Sequence, residues 1–150
     1  RVNEDEWTTL LRGLRRKRRR RLRYSRSTAG RLSHNDLCAA THGMCSWIRA
    51  KTAATGNLTG YMQPKTRTVR QAAQSFIGLY ELLMLLKPAA RHDIVVEFPS
   101  NALDTCARLC RGDKPSRVSD DLAGELQATA KKLRALIRRA QRQRRKSEEE

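Results

Sequence analysis

Seven consecutive cations, Arg15, Arg16, Lys17, Arg18, Arg19, Arg20 and Arg21, form the densest run of functional groups in the chain. A block of like charge repels itself and calls for a polyanion to neutralise it. Arg12, Arg23 and Arg26 extend the block, and Tyr24, beside Arg23, is suited to stack on a base. A second basic segment covers residues 131–146 and contains Arg138, Arg139, Arg142, Arg144 and Arg145. Guanidinium groups grip phosphate through paired N–H bonds and stack on flat rings, whereas an ammonium is a hydrated point charge. Arg outnumbers Lys by 24 to 8, so phosphate recognition is the chemistry these residues favour.

A third cluster, Lys65, Arg67 and Arg70, stands with Gln71 and Gln74 where a helix is predicted to begin. The free N–H groups of a helix N-terminus attract anions, and nearby cations add to that attraction. The helix behind this cluster is too apolar to lie in a DNA groove. Contact of its first turn with phosphate is therefore expected, in preference to reading of base sequence.

The cysteines form two helical pairs. Cys38 and Cys45 share one face with His42, while Cys106 and Cys110 lie four residues apart. A zinc site or inter-helix disulfides are both geometrically conceivable. Structural zinc usually takes closely spaced, loop-borne cysteines, so buried reduced thiols are the favoured reading. Catalytic signatures are missing: there is no Gly-rich phosphate loop with its Lys-Ser/Thr, no Gly-x-Ser-x-Gly turn and no His-Glu-x-x-His. A non-enzyme is expected, with no cofactor, no metal and no small-molecule substrate.

The elements that must position these groups are helical. Trp7, Leu10, Leu11 and Leu14 give one apolar face to a helix over about 4–24. Ser33-His34-Asn35-Asp36 resembles a capping box with Asp in place of Glu, and opens a second helix. Val69, Ala72, Ala73, Phe76, Ile77, Tyr80, Leu83 and Met84 follow helical spacing without a break. The end of that helix, Leu82 to Leu86, is apolar on every side and predicts the most buried turn of the chain. Tyr80 and Trp47 fall on apolar faces and are assigned to the core. Ile94-Val95-Val96 reads as an extended connector, followed by a short helix over about 101–111 that ends at Gly112. A last helix starts at Ser119, with Asp120 and Asp121 in its first turn. The expected fold is an all-α bundle of about five helices, with Arg-rich helical extensions at both ends.

The charge follows the same division. The chain has 32 Lys+Arg against 15 Asp+Glu, a formal charge of +17. Ten cations fall in 12–26 and nine in 131–146, while residues 27–130 carry a net +3. The sequence thus divides into a basic arm over 1–26, a core over 27–130 and a basic extension over 131–150. Its tip, Ser147-Glu148-Glu149-Glu150, is acidic and suits either folding back on the arginines or touching another protein.

Two basic arms around an almost neutral centre lead to one main expectation. The chain is expected to be a structural subunit of a large ribonucleoprotein, a ribosome or mitochondrial ribosome, with RNA and neighbouring protein subunits as partners. Its compartment would be mitochondrion or cytoplasm, with the nucleus as alternative. No membrane partner is expected, since no segment has the roughly 18 uninterrupted apolar residues of a span. The alternatives are a nucleocapsid-like or DNA-packaging protein that self-assembles on a genome, and a protein-binding adaptor.

Overall fold

The computed structural model describes Glu6 and residues 8–12, 31–52 and 65–149. Two compact units divide the chain, residues 1–30 and 31–150. In the first unit residues 8–12 are helical, in line with the amphipathic segment, and Leu10, Leu11 and Arg12 are exposed. Arg15 to Arg21, Arg23, Tyr24 and Arg26 lie outside the described residues.

The second unit is all-α, apart from one short strand pair. Its helices are α1 (His34–Lys51), α2 (Val69–Leu85), α3 (Pro88–Val95), α4 (Ser100–Cys110) and α5 (Asp120–Glu149). Strands β1 (Arg31–Leu32) and β2 (Lys114–Pro115) pair in parallel, Arg31 opposite Lys114 and Leu32 opposite Pro115. Pro115 has no N–H to give, which is tolerable in a sheet that has only edges.

Each helix begins and ends where local chemistry dictates. Ser33 caps α1, its hydroxyl accepting from the Asp36 N–H at 3.1 Å. Thr68 caps α2 in the same way through Gln71. The missing N–H of Pro88 is harmless in the first turn of α3. α4 closes in a Schellman arrangement: Gly112 adopts φ 90°, its N–H reaches the Leu109 carbonyl, and the Asp113 N–H reaches Arg108. That positive φ is the reason for a glycine at 112.

One apolar core joins the five helices. Leu37, Met44 and Ile48 of α1 meet Phe76, Leu79 and Leu83 of α2, Ile94 of α3, Leu109 of α4, and Leu126 and Leu133 of α5. Burial continues along α5 through Ile137 to Ala140, past residue 130. The thirty residues of α5 thus begin as a core helix and end as a fully exposed one. α1 and α4 approach closely at Gly43, where a Cβ would meet Asn101 Oδ1 at 2.8 Å. Asn101 bridges that crossing by donating to the Ala39 carbonyl at 2.9 Å.

Two sequence expectations are corrected. Ile94 and Val95 belong to helix α3. The apolar run Ile94-Val95-Val96 resembled an extended connector because its helical partners on the same face, Ala90 and Arg91, are not obviously core residues. The end of α2 is also not uniformly buried: Leu82 and Leu83 are, but Leu85 is 79% exposed. Neighbouring helices cover one side only, and two residues turn a helix by about 200°, so Leu85 faces away from the contact that buries Leu83.

Candidate nucleic-acid interface

The segment ahead of α2 is held by one stripe of α1. His34, Cys38 and His42 recur every four residues and all reach Thr66. His34 Nε2 lies 3.0 Å from the Thr66 carbonyl oxygen. A carbonyl only accepts, so this nitrogen carries the proton. The Cys38 thiol donates to the same carbonyl at 3.4 Å, and His42 Nε2 meets the Thr66 hydroxyl at 2.9 Å. Cys38 Sγ is also 3.0 Å from His34 Nε2. Because that nitrogen is protonated it is no base for the thiol, and burial raises the Cys38 pKa despite its bond to Thr66.

This clasp fixes the backbone between Lys65 and Arg67, and Ser75 Oγ adds a bond to the Lys65 carbonyl at 3.1 Å. Lys65, Arg67 and Arg70 are all exposed around the start of α2, as their proposed role beside an anion requires. Arg70 also borders a cleft with Arg117, Asp121 and Glu125, so carboxylates share its surroundings.

The expected cations at the far end of the molecule separate into two environments. Arg138, Arg139 and Arg142 are exposed and, with Lys132, line a groove beside α2 of about 420 Å³. Its floor is Tyr80 and Leu136, both half-buried. No carboxylate lines it, and none of its cations forms an ion pair among the described residues. Arg145 is exposed on the same helix.

Arg144 is placed differently. Its guanidinium lies 3.7 Å from Glu97 and 3.3 Å from Glu148. Glu97 also takes Lys51 at 3.2 Å, and Lys51 sits over the Trp47 ring, 4.8 Å from its centroid. Trp47 donates from Nε1 to the Ile94 carbonyl at 3.1 Å. Arg144 thus ties α5 to the end of α3, and Glu148 of the acidic tip folds back on it.

Tyr80, assigned from its spacing to the core, is the aromatic of the cationic groove. It packs against the core as assigned, and its spacing gives no sign of the groove because Leu136 and Arg139 line that groove with it only through the packing of α5 on α2. The two cation groups are distinct: along α2, Tyr80 is about 15 Å from Arg70 at the usual helical rise.

None of the four cysteines forms a disulfide. Cys45 and Cys106 are buried, whereas Cys38 and Cys110 are half-buried. Burial pushes the Cys106 thiol up to about 12, with Cys110 adding to the rise and Arg134 opposing it. Among the described residues no three His, Cys, Asp or Glu side chains converge to hold a metal. Nor is any described helix long and apolar enough to cross a membrane. No protein-family model, curated protein or solved structure matches the chain.

Proposed function

We propose that the protein is a non-catalytic, RNA-binding structural subunit of a large ribonucleoprotein, of which a ribosome or mitochondrial ribosome is the leading example. The observation that carries this reading is the exposed group Lys132, Arg138, Arg139 and Arg142 on a helix anchored in the core, with no carboxylate in its groove. Unpaired cations held at fixed spacing repel one another, and a phosphate backbone relieves that repulsion while releasing its counterions. The run Arg15–Arg21 supplies a second arm with the same chemistry, and Lys65, Arg67 and Arg70 a third contact.

Docking on a neighbouring protein is supported by Leu85, 79% exposed at the end of the most apolar helix. A single exposed leucine is ordinary, but beside Met84, at 41%, it extends an apolar surface that a partner would cover.

Binding of the purified chain to structured RNA and matched duplex DNA across a salt titration tests this function. Expected is tight binding that favours RNA, with a steep salt slope reduced both by Arg15→Glu/Arg18→Glu/Arg19→Glu and by Arg138→Glu/Arg139→Glu/Arg142→Glu. Equal, cooperative binding to both polymers would replace this reading with a genome-packaging role. Absence of salt-dependent binding would leave a protein-binding adaptor.

A further inference from the structure

We infer that the α2–α5 groove binds a single-stranded segment of nucleic acid, with an unpaired base against Tyr80 and Leu136 and its flanking phosphates on Lys132, Arg138, Arg139 and Arg142. The inference rests on the nucleic-acid reading above and adds what kind of strand the groove accepts.

The groove divides its chemistry in two. Its floor is aromatic and aliphatic, and its rim is cationic. Plain phosphate neutralisation needs only the rim. A half-buried aromatic floor beneath that rim matches the two halves of a nucleotide, a flat π-face and an anion. The Tyr80 ring packs in part against the core and is half-buried, while its hydroxyl makes no hydrogen bond among the described residues. The volume of about 420 Å³ falls in the range of small-molecule pockets.

Two other clefts among the described residues lack this combination. One holds Asp93 and Glu97 beside Lys51 and Arg144, and the other sets Asp121 and Glu125 against Arg70 and Arg117. Each supplies its own counter-charges, and although His92 puts an imidazole in the first, neither offers a Phe, Tyr or Trp ring. Of these three clefts among the described residues, the Tyr80 groove is the one that joins an uncompensated positive rim to a Tyr ring.

Geometry then selects the strand. The rim from Lys132 to Arg142 runs about 15 Å along α5 at the helical rise, enough for several phosphates in sequence. In a duplex the base faces are occupied by their neighbours in the stack, so a paired strand meets the rim but leaves Tyr80 empty. An unpaired strand satisfies both.

The test is anisotropy binding of the full chain to a labelled uridine-rich oligoribonucleotide, the deoxyribonucleotide of equivalent sequence, and a matched RNA duplex. Tyr80→Ala is expected to weaken single-strand binding about tenfold, the order of one lost stacking contact, with duplex binding unchanged. Tyr80→Phe keeps the ring and should bind like wild type. Preference for either sugar identifies the strand as RNA or DNA. Because Tyr80 is half-buried, photocrosslinking of wild-type protein to a 4-thiouridine oligonucleotide gives a second readout that needs no variant. A crosslink on the peptide containing Tyr80 supports the groove, whereas crosslinks elsewhere alone would overturn it. Salt-dependent binding insensitive to both Tyr80 variants also removes the groove and leaves the wider reading standing. Loss of binding to every polymer removes both.

Discussion

Arg108 Nη1 lies 2.7 Å from Asp36 Oδ2, joining residues 72 positions apart in the sequence. The same guanidinium reaches Asp113 at 3.2 Å through Nε, so one side chain fastens α4 to the first turn of α1 and to the turn that follows α4. Burial alone would raise the Asp36 pKa, yet hydrogen bonds from Ser33 and Arg108, with the Arg108 charge, hold it below its ordinary value. A carboxylate held low in this way stabilises the fold above its unfolded pKa, near 4, and that contribution fades as pH falls through the lower folded value. Asp36→Asn should therefore cost about 1 kcal/mol at neutral pH, a fall in Tm of roughly 2–4 °C. The deficit should shrink below about pH 4. Thermal melts of both proteins at neutral and acid pH check this, and a deficit independent of pH would refute the pairing as its source.

The thiols differ in accessibility, which predicts an order of modification. Cys38 and Cys110 should react with iodoacetamide in the native protein before Cys45 and Cys106, as followed by peptide mass spectrometry. Burial raises the folded pKa of Cys106 to about 12, so the neutral thiol is the form that suits the fold. Its contribution to stability is complete below the unfolded pKa, about 8.5, and is lost as pH rises towards the folded value. Cys106→Ala should remove that part of the alkaline loss while costing packing stability at neutral pH.

Arg144 and Arg139 stand five residues apart, yet opposite outcomes are expected from changing them. Arg144→Ala breaks exposed pairs with Glu97 and Glu148, each worth at most about 1 kcal/mol, and should leave RNA affinity nearly unchanged. Arg139→Glu should leave the melt unchanged, weaken binding and lower the salt slope by about one. Paired melting and binding curves separate the two, and equal loss of affinity would show that Glu97 and Glu148 do not occupy Arg144.

Glycines in helices give a further contrast. A Cβ on Gly78 meets nothing within 4 Å, so Gly78→Ala should stabilise α2 by about 0.5–1 kcal/mol. At Gly43 the added carbon would fall 2.8 Å from Asn101 Oδ1. Asn101 would then have to give up its bond to the Ala39 carbonyl, and the gain in helix propensity should be cancelled or reversed. Denaturant midpoints of both variants decide it.

Much of the fold was legible because it is written locally. The breaks at Ser33 and Gly112 are capping and turn chemistry within a few residues, and the stripe from Val69 to Leu83 is helical periodicity. Ile94 was misread because a helix as short as α3 has too few turns to display a period. The clasp on Thr66 left half a trace, since His34, Cys38 and His42 share a stripe while nothing local marks Thr66 as their target. Tyr80 left none: its spacing is that of a core residue, and only the packing of α5 against α2 turns it toward a rim of arginines. Long-range packing, not residue type, separates Arg144 from Arg139.

The small parallel pair of β1 and β2 carries a kinetic consequence. It closes a loop from residue 31 to residue 114, at an entropic cost on the order of 4 kcal/mol for a chain segment of that length. A four-residue ladder returns less than that, so the pair cannot nucleate folding and must form after the helices have brought its ends together. It should also be the first part of the second unit to open, below the threshold of global unfolding. Amide hydrogen exchange at Leu32 should then run faster than at Phe76 or Leu133, although all three side chains are equally hidden from water.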